Sequence, residues 1–435
     1  MKHPLLDLLV DPNSTPTFTP TFTPNSTPTS IASLPSSIVN LANSIIGAGV
    51  LTLPYAIKGT GIYLGLVLLA IFASLSALSL FLLDEATRIL PTATSYSDLG
   101  RVLFAKKYKV DSIVDFMQSA YSYGSCVGYL SILVDELEVI TTDWDISRPL
   151  LLSLCLIIVF PLTLLKSLSS LSFTSTLAII CVSYLSIVLV ASAPYSTGTC
   201  SSPDGTPPLN GFLFTRSLST SLPIFCFAFN CQVQFLPLKN ELQAPTRARI
   251  RKMVFVTMLC VFILYGVDAS AGYLSFCQAT KSNILDNYGE DDVVVFVARV
   301  AFVAVLNFSF PLYSTAIVTS VDSMIKNENK LELGDMSFRR RVVLASAIVF
   351  SQAFIVNLNP DLDKILGLTG AIGGCSLVYV FPGLFYDRAK RTETGGGGTG
   401  SILGTVLAGC GGILGAICSF IILFVPDEDG GDGGE

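Results

Sequence analysis

The sequence is short of charged residues, of histidine and of paired cysteines. Asp, Glu, Lys and Arg make up 13% of its 435 residues, whereas soluble domains carry roughly a quarter. His3 is the single histidine, and none of the eleven cysteines belongs to a Cys-x-x-Cys pair. Metal centres and histidine-dependent catalysis need clusters of such residues. We therefore expect no metal beyond a coupling Na⁺, no cofactor and no enzymatic activity.

Basic residues form no continuous surface. The net charge is −6, and the acidic end DEDGGDGGE contributes five negative charges. Domains that bind nucleic acid present a basic patch. The charge balance therefore argues against nucleic acid as a partner.

Apolar residues dominate what remains. They form 51% of the chain, and the mean hydropathy is +0.65. They are grouped into eleven segments near the length of about 20 residues that a membrane-spanning helix needs. The pattern predicts an all-α polytopic protein of the lipid bilayer, with spans at residues 34–57, 62–83, 113–140, 149–165, 171–193, 212–238, 253–277, 293–321, 342–358, 365–386 and 402–425.

Positive charge alternates between the loops that join these spans. Twenty Lys and Arg residues fall on one side and six on the other. The richer side is cytoplasmic by the positive-inside rule, which predicts a cytoplasmic N-terminus and an extracellular or luminal C-terminus. The six residues on the poorer side are Lys58, Arg148, Arg216, Lys281, Arg299 and Lys364.

Five spans are an odd number, so spans six to ten enter the membrane in the opposite direction to spans one to five. This permits an inverted repeat, which is common among secondary transporters. We divide the chain into a disordered Thr/Pro-rich cytoplasmic tail (1–33), a first five-helix repeat (34–193), a second, inverted repeat (212–386), an eleventh helix (401–425) and an acidic non-cytoplasmic tail (426–435).

The loop between spans two and three carries a helix signal. Ser95 with Asp98 three residues later forms a capping-box pattern. We expect a short helix on the cytoplasmic surface, with Tyr96, Leu99 and Val102 on one face.

Span one contains residues that interrupt a helix. Residues 40–55 read NLANSIIGAGVLTLPY, with two glycines two positions apart. In hydrocarbon, a broken helix is tolerated only where it lines a protein-enclosed cavity. The amides of Gly47, Ala48 and Gly49, next to Ile46, would face an anion, and the freed carbonyls before them would face a cation. The stretch predicts a site for a carboxylate and its coupling ion.

Span six has a matching interruption. In SLPIFCFAFNCQVQFLPLKNEL, residues 221–242, prolines and amide side chains break an aromatic run. Two broken helices at corresponding places indicate a binding site. We expect Phe229, Asn230 and Gln232 to contact the side chain of the substrate.

Polar side chains in spans one and eight are candidate ion ligands. Asn40 and Asn43 share one helix face, and Asn307 and Ser309 lie near the middle of span eight. Amide and hydroxyl oxygens suit a hard cation. Two plainer roles remain open: hydrogen bonds between helices for the asparagines and a bond to the preceding turn for Ser309.

Two further features of the sequence allow more than one interpretation. Asp268, within span seven, is either a proton-coupling carboxyl or, as we favour, the partner of Arg299 in a salt bridge. Cys200, in the loop after span five, is a candidate for a disulfide bond with Cys277 at the end of span seven.

These residues resemble the amino acid/auxin permease family, and most closely its sodium-coupled neutral amino acid transporter branch. The resemblance rests on NLANSIIGAGVL at residues 40–51, SYSDLG at 95–100, LTLLK at 162–166, LPLKNEL at 236–242 and GYL at 272–274, and it covers residues 33–425. It implies a LeuT-like five-plus-five inverted repeat with an added C-terminal helix. It also implies that Asn43, Asn307 and Ser309 hold the coupling cation.

The resemblance and the residues together predict a secondary active transporter for neutral L-amino acids, driven by Na⁺ or H⁺ and working by alternating access. A transceptor of the same fold, which senses amino acids with little net flux, and a channel are the alternatives. We expect a monomer in the plasma membrane or in a vacuolar or lysosomal membrane.

Overall fold

The computed structural model describes residues 32–91, 93, 95–104, 108–144, 146–164, 172–196, 218–289, 292–326, 336–393 and 401–424. Most of the predicted N-terminal tail and the whole acidic C-terminal tail lie outside these residues. Within them the chain is almost entirely helical, and the single β-type contact is a parallel bridge between Ala32 and Leu242.

Fifteen α-helices occupy the described residues. They are α1 (Leu34–Ile45), α2 (Gly49–Thr60), α3 (Ile62–Ile89), α4 (Tyr96–Leu103), α5 (Val110–Ile140), α6 (Arg148–Thr163), α7 (Ser172–Ser196), α8 (Leu218–Ala228), α9 (Gln232–Glu241), α10 (Arg247–Phe276), α11 (Val293–Lys326), α12 (Phe338–Asn357), α13 (Leu362–Thr369), α14 (Phe381–Glu393) and α15 (Ile402–Phe424).

Every predicted span coincides with helical structure. Among the described residues, eight helical stretches are long and apolar enough to cross a membrane, or up to nine if α1 and α2 form one span. The two other predicted spans correspond to α5, with 31 residues, and α6, a shorter apolar helix of 16. The polytopic all-α class is confirmed, and the count of eleven crossings stays a prediction.

Local sequence explains where the short helices begin. Ser33 caps α1 by accepting a hydrogen bond from the Ser36 amide, and a proline follows it at the first turn. Ser95 and Asp98 form the predicted capping box of α4. Tyr96 and Leu99 are buried and Val102 is exposed, so the expected common face is only partly covered by α5 and α14, which pack against α4.

The two interrupted helices meet at the centre of the bundle. α2 packs against α8 and α10, while α1 packs against α7, α9 and α10. The tenth predicted span consists of α13, two π-helical turns (Gly370–Gly374 and Ser376–Val380) and α14. It lies so close to α8 that a Cβ on Gly370 would overlap the Pro223 carbonyl. Glycine is therefore required there by packing.

Candidate functional site

The first break lies where the sequence predicts it. α1 ends at Ile45, α2 begins at Gly49, and the two axes are bent by 57°. Ile46 adopts an extended conformation, and its N–H still bonds to the Ala42 carbonyl. In the described parts of the chain, the N–H groups of Gly47, Ala48 and Gly49 bond to no backbone carbonyl. Three amides therefore stand at the positive end of the α2 dipole.

Both glycines at this break are in close contact with other helices. A Cβ on Gly47 would lie 2.8 Å from the Tyr129 hydroxyl, and a Cβ on Gly49 would lie 3.2 Å from the Cα of Ala228. Contacts below 3.0 Å require a neighbour to shift, and those between 3.0 and 3.4 Å are tighter than most real ones. The absence of side chains lets α5 and α8 approach the freed amides.

One of the carbonyls freed by the break is already occupied. The Tyr265 hydroxyl, on α10, donates to the Ile45 carbonyl at 2.9 Å, and it is also in hydrogen-bonding contact with the backbone of Gly47. The same ring meets Phe229 edge-to-face with centroids 5.5 Å apart. Tyr265 therefore connects the end of α1 to the second break, and this carbonyl is not free to face a cation as the sequence suggested.

The second break is held against α3. α8 ends at Ala228 and α9 begins at Gln232. The Gln232 amide donates to the hydroxyls of Ser76 at 2.9 Å and Ser79 at 3.0 Å. Ser76 in turn donates to the Phe229 carbonyl at 2.9 Å. The polar groups of Gln232 and the Phe229 carbonyl therefore hold the break in place.

Asn230 is arranged differently. Its backbone N–H bonds to the Phe227 carbonyl at 3.3 Å. Its side chain is buried, and the Nδ2 amide has no hydrogen-bond partner among the described residues. A buried amide without a partner costs about 1–3 kcal/mol. Of the three residues predicted to contact the substrate side chain, Asn230 is the one with an available polar group.

An aromatic cluster surrounds the first break, and the sequence analysis missed it. It consists of Tyr121 and Tyr129 on α5, Phe227 on α8 and Tyr313 on α11, with ring centroids 5.5–6.4 Å apart along the cluster. The spacing of Tyr121, Ser125 and Tyr129 by four residues places them on one helix face. That periodicity in a polar-aromatic helix was the available signal.

Two predicted ion ligands line one small pocket. Asn43 from α1 and Ser309 from α11 are brought together, and the rest of the lining is apolar: Leu177, Ala178, Val305, Phe308 and Leu312. The cavity measures about 10 Å³, counted as the space open to the centre of a water-sized sphere. This is enough for one water-sized particle.

Asn307 and Asn40 do not line this pocket. The Asn307 amide donates to the Val303 carbonyl of its own helix at 2.8 Å, and its buried Oδ1 has no partner among the described residues. The backbone carbonyl of Asn40 accepts a hydrogen bond from the Ser44 hydroxyl at 2.9 Å, within the same helix. Of the four residues predicted to bind the ion, two therefore line the pocket and two do not.

The favoured salt bridge between Asp268 and Arg299 is wrong. Arg299 pairs with Glu136 instead, at 2.6 Å. Glu136, which lies on α5, is fully buried, and its second oxygen accepts the Asn283 amide at 2.7 Å. Asp268 accepts a hydrogen bond from Ser186 at 3.0 Å. Both acidic residues are thus placed by contacts with residues far away in the sequence.

The predicted disulfide bond concerns one described and one undescribed residue. Cys277 takes part in a disulfide bond. Cys200 lies outside the described residues, so its pairing with Cys277 stays a prediction.

The predicted cytoplasmic ends of the two broken helices are joined to each other and to α3. The Ala32 N–H bonds to the Glu241 carbonyl at 2.9 Å, and the Gln243 N–H bonds back to the Ala32 carbonyl at 3.0 Å. Lys239, at the end of α9, pairs with the buried Asp84 of α3 at 2.7 Å. α1, α9 and α3 are therefore closed together on this side.

Comparison with known proteins gives consistent matches. The family described as "Transmembrane amino acid transporter protein" matches residues 31–424. The chain is 27% identical over 400 residues to sodium-coupled neutral amino acid symporter 2 of Danio rerio, covering 83% of this chain and 77% of that protein. It is 26% identical over 358 residues to vacuolar amino acid transporter 5 of Schizosaccharomyces pombe, covering 81% and 83%.

The fold is similar to that of a solved transporter. The manganese transporter of Eremococcus coleocola, in complex with an aromatic bis-isothiourea compound, superposes with a TM-score of 0.60 at 11% identity, covering 91% of this chain and 89% of that one. A mutant of the same transporter gives a TM-score of 0.59 at 13% identity, with 91% and 88% covered. At this identity the likeness concerns the fold alone.

Proposed function

The chain belongs to the transmembrane amino acid transporter family, and from this membership we propose that it moves neutral L-amino acids by cation-coupled symport with alternating access. It is a multi-pass membrane protein, and its family consists of transporters rather than enzymes. The substrate class, the coupling ion and the site are our proposals.

The first break is the observation that carries the substrate proposal. Free N–H groups at a helix N-terminus form a site for an anion. The α-carboxylate of an amino acid would accept from Ala48 and Gly49, and from Gly47 once it displaces the Tyr265 hydroxyl from the Gly47 backbone, with Ile46 beside them. Gly47 and Gly49 have no side chain, and Tyr129 and Ala228 close the site on two sides. A carboxylate bound there would be shielded from lipid and from water. Hydrogen bonds are stronger in such a shielded site than in water.

The surroundings of the break favour an uncharged substrate side chain. The aromatic cluster of Tyr121, Tyr129, Phe227 and Tyr313 carries no formal charge at neutral pH, and Asn230 adds an amide with a donor to offer. A charged substrate side chain would need a counter-charge at this depth. We assign Asn230 and the cluster to contact with the side chain, and we assign Gln232 and Phe229 to holding the break.

Asn43 and Ser309 are the proposed ligands of a coupling Na⁺. Both line a pocket for one small particle, at the junction of α1, α7 and α11. The rest of the lining is apolar, so bound water or backbone carbonyls would complete the coordination of the ion. A relative named as a sodium-coupled symporter supports Na⁺ as the coupling ion. Asn307 and Asn40 do not line the pocket, and we assign them no direct contact with the ion.

Alternating access requires the closed side to open. The Ala32 bridge and the Lys239–Asp84 pair join α1, α9 and α3, and we propose that they separate when the site opens toward the cytoplasm. We place the N-terminus in the cytoplasm and the protein in the plasma membrane or a vacuole-type membrane. A vacuolar relative supports the latter.

Uptake into proteoliposomes tests the proposal. Radiolabelled L-alanine, L-serine, L-glutamine and L-leucine are offered with the Na⁺ and pH gradients imposed separately. We expect accumulation above equilibrium with at least one gradient. Binding without accumulation would instead support the transceptor, and flux without accumulation would support a channel.

Variants at the pocket test the ion site. Asn43→Ala and Ser309→Ala should each raise the Na⁺ concentration for half-maximal uptake about tenfold, which is the loss of roughly one good ligand bond. Asn40→Ala, on the same helix but outside the pocket, is the matched control and should change it little. Equal effects at Asn40 and Asn43 would contradict the assignment.

A further inference from the structure

Asp268 is a carboxyl group in the second half of α10 with no compensating charge among the described residues. Its side chain is fully buried. One oxygen accepts the Ser186 hydroxyl of α7 at 3.0 Å. The other is buried and has no hydrogen-bond partner among the described residues. Within the described part of the chain, no Lys or Arg lies within salt-bridge distance of it.

The basic groups on α10 and on the helices that pack against it are engaged elsewhere or distant from Asp268. On α10 itself, the Tyr265 hydroxyl is bonded to Ile45, and the basic residues stand at the other end, with Lys252 sixteen positions away, about 24 Å along the helix. Among the side chains that the structure describes, the other ionisable groups are Cys260 and Tyr273 of α10, Cys181 and Tyr184 of α7, Tyr55 and Lys58 of α2, and Tyr63, Asp84, Glu85 and Arg88 of α3; α1 has none.

The basic side chains on these helices, and the Tyr184 hydroxyl, have other partners. Lys58 donates to the Thr280 carbonyl at 3.2 Å. Tyr184 donates to the Val294 carbonyl at 3.0 Å. Arg88 pairs with Asp84 at 2.9 Å. An ionised carboxylate inside the bilayer is costly without a partner. Asp268 is therefore a neutral acid in this conformation.

A proton fits this site better than a metal cation. Asp268 and Ser186 offer at most three oxygen atoms, whereas hard cations such as Mg²⁺ and Ca²⁺ take six or more. The unpartnered oxygen is a suitable place for a proton, because a protonated carboxyl becomes a donor and no longer carries charge. The pair therefore has the composition of a proton site.

The position of the pair connects it to the two sites already described. α7 carries Ser186 and also Ala178, which lines the Asn43–Ser309 pocket eight residues earlier. α10 carries Asp268 and also Tyr265, which is bonded to the end of α1 one turn earlier. A movement of α7 against α10 would change the substrate break, the ion pocket and the surroundings of Asp268 together.

We propose that Asp268, with Ser186 as its hydrogen-bonding partner, is a proton-binding site whose occupancy changes during alternating access, so that protons move with the amino acid. The inference rests on the proposed transport function. Asp268 holds its proton while α7 and α10 are in contact at Ser186. It releases the proton to water when that contact opens during transport. The proton is carried, and no covalent bond between heavy atoms changes.

Proton movement in proteoliposomes tests the site. A pH-sensitive dye inside the vesicles reports the internal pH. The substrate is whichever of L-alanine, L-serine, L-glutamine and L-leucine the wild type transports best. Asp268→Asn should keep exchange of labelled for unlabelled amino acid within about twofold but lose substrate-driven proton movement by at least about tenfold, a factor worth about 1.4 kcal/mol. Asp268→Glu should retain proton movement.

Matched variants on α7 separate the site from general damage. Ser186→Ala should retain proton movement and shift the pH at which exchange is half-maximal. Ser183→Ala, whose hydroxyl bonds only to Ile179 of its own helix, should leave the pH profile unchanged. Proton movement in Asp268→Asn equal to that of the wild type would overturn the inference, as would Na⁺-driven accumulation by the wild type with no proton movement.

A second measurement does not depend on flux. Dicyclohexylcarbodiimide modifies protonated carboxyls in apolar surroundings, and mass spectrometry locates the product. We expect labelling at Asp268 at pH 6 that decreases when the best amino acid is added. No labelling at pH 6 in folded protein would contradict a neutral acid. If the wild type showed neither uptake nor exchange, the transport function itself would fail, whatever the labelling result.

Discussion

The Arg299 guanidinium donates to the Glu136 carboxylate over 2.6 Å, and neither side chain is more than 2% exposed. A second nitrogen of Arg299 donates to the Leu285 carbonyl at 2.6 Å. Asn283 donates to Glu136 and also to Asp286 at 3.0 Å. This buried cluster therefore joins α5, α11 and the loop that follows α10.

Breaking the buried pair should be far more damaging than breaking its exposed neighbour. Glu136→Gln leaves the Arg299 charge buried without compensation, and we expect a loss of about 3–5 kcal/mol in the free energy of unfolding. Glu138→Gln, two residues away, removes a partly exposed partner of Arg148 and should cost about 1 kcal/mol or less. Denaturant unfolding in detergent measures both. Similar losses for the two variants would contradict the role of burial.

The contact between Gly47 and Tyr129 predicts a rescue. Gly47→Ala places a Cβ 2.8 Å from the Tyr129 hydroxyl, while the next ring atom would be 3.8 Å away. Tyr129 packs edge-to-face on Tyr313, so it cannot easily turn aside. We expect Gly47→Ala to reduce uptake at least about tenfold and the double variant with Tyr129→Phe to restore much of it.

Gly49 provides the control for that rescue. A Cβ on Gly49 would meet the Cα and Cβ of Ala228 on α8, and no atom of Tyr129 is among its three nearest neighbours. Tyr129→Phe should therefore leave the defect of Gly49→Ala unchanged. Rescue of both alanine variants, or of neither, would show that the Tyr129 hydroxyl is not what limits the space at Gly47.

Asp286 should make stability depend on pH. It lies in the loop after α10, where burial, and then repulsion from Glu136 and Asp135, raises its pKa to about 7. In an unfolded chain the pKa of an Asp is about 3.9. Between these two values the folded protein binds more protons than the unfolded one, so the contribution of Asp286 to stability decreases as pH rises through this window.

The measurement is the thermal unfolding midpoint at several pH values between about 4.5 and 8, a range that covers most of this window. We expect Asp286→Asn to be more stable than the wild type at the upper end and to show a flatter dependence on pH. Identical pH dependence in the two proteins would mean that another group is responsible.

The sequence was sufficient to predict those structural features whose cause lies within a few residues. Gly47 and Gly49 predict a break because glycine is a poor helix former, and Ser95 with Asp98 caps a helix through contacts within four residues. Asn230 lies in the second break, between α8 and α9, where the sequence predicts an interruption. These features needed no knowledge of neighbouring helices.

The choice of partners could not be predicted in this way. Arg299 pairs with Glu136, 163 residues away, instead of with the expected Asp268. Gln232 faces Ser76 and Ser79 because of how α9 is rotated about its axis, which periodicity over such a short helix does not define. Of the three residues that the resemblance implies as ion ligands, Asn43 and Ser309 line one pocket, whereas the Asn307 amide donates to Val303 of its own helix.

The two π-helical turns at Gly370–Gly374 and Ser376–Val380 have a consequence for chain length. A π turn takes in one more residue than an α turn, so this helix stores surplus residues beside α8. Deleting a single residue such as Ile372 would convert one wide turn into an ordinary one and leave the helical ends on either side in register. The tenth span is thus a place where an evolving or engineered chain can shorten without losing its path through the bundle.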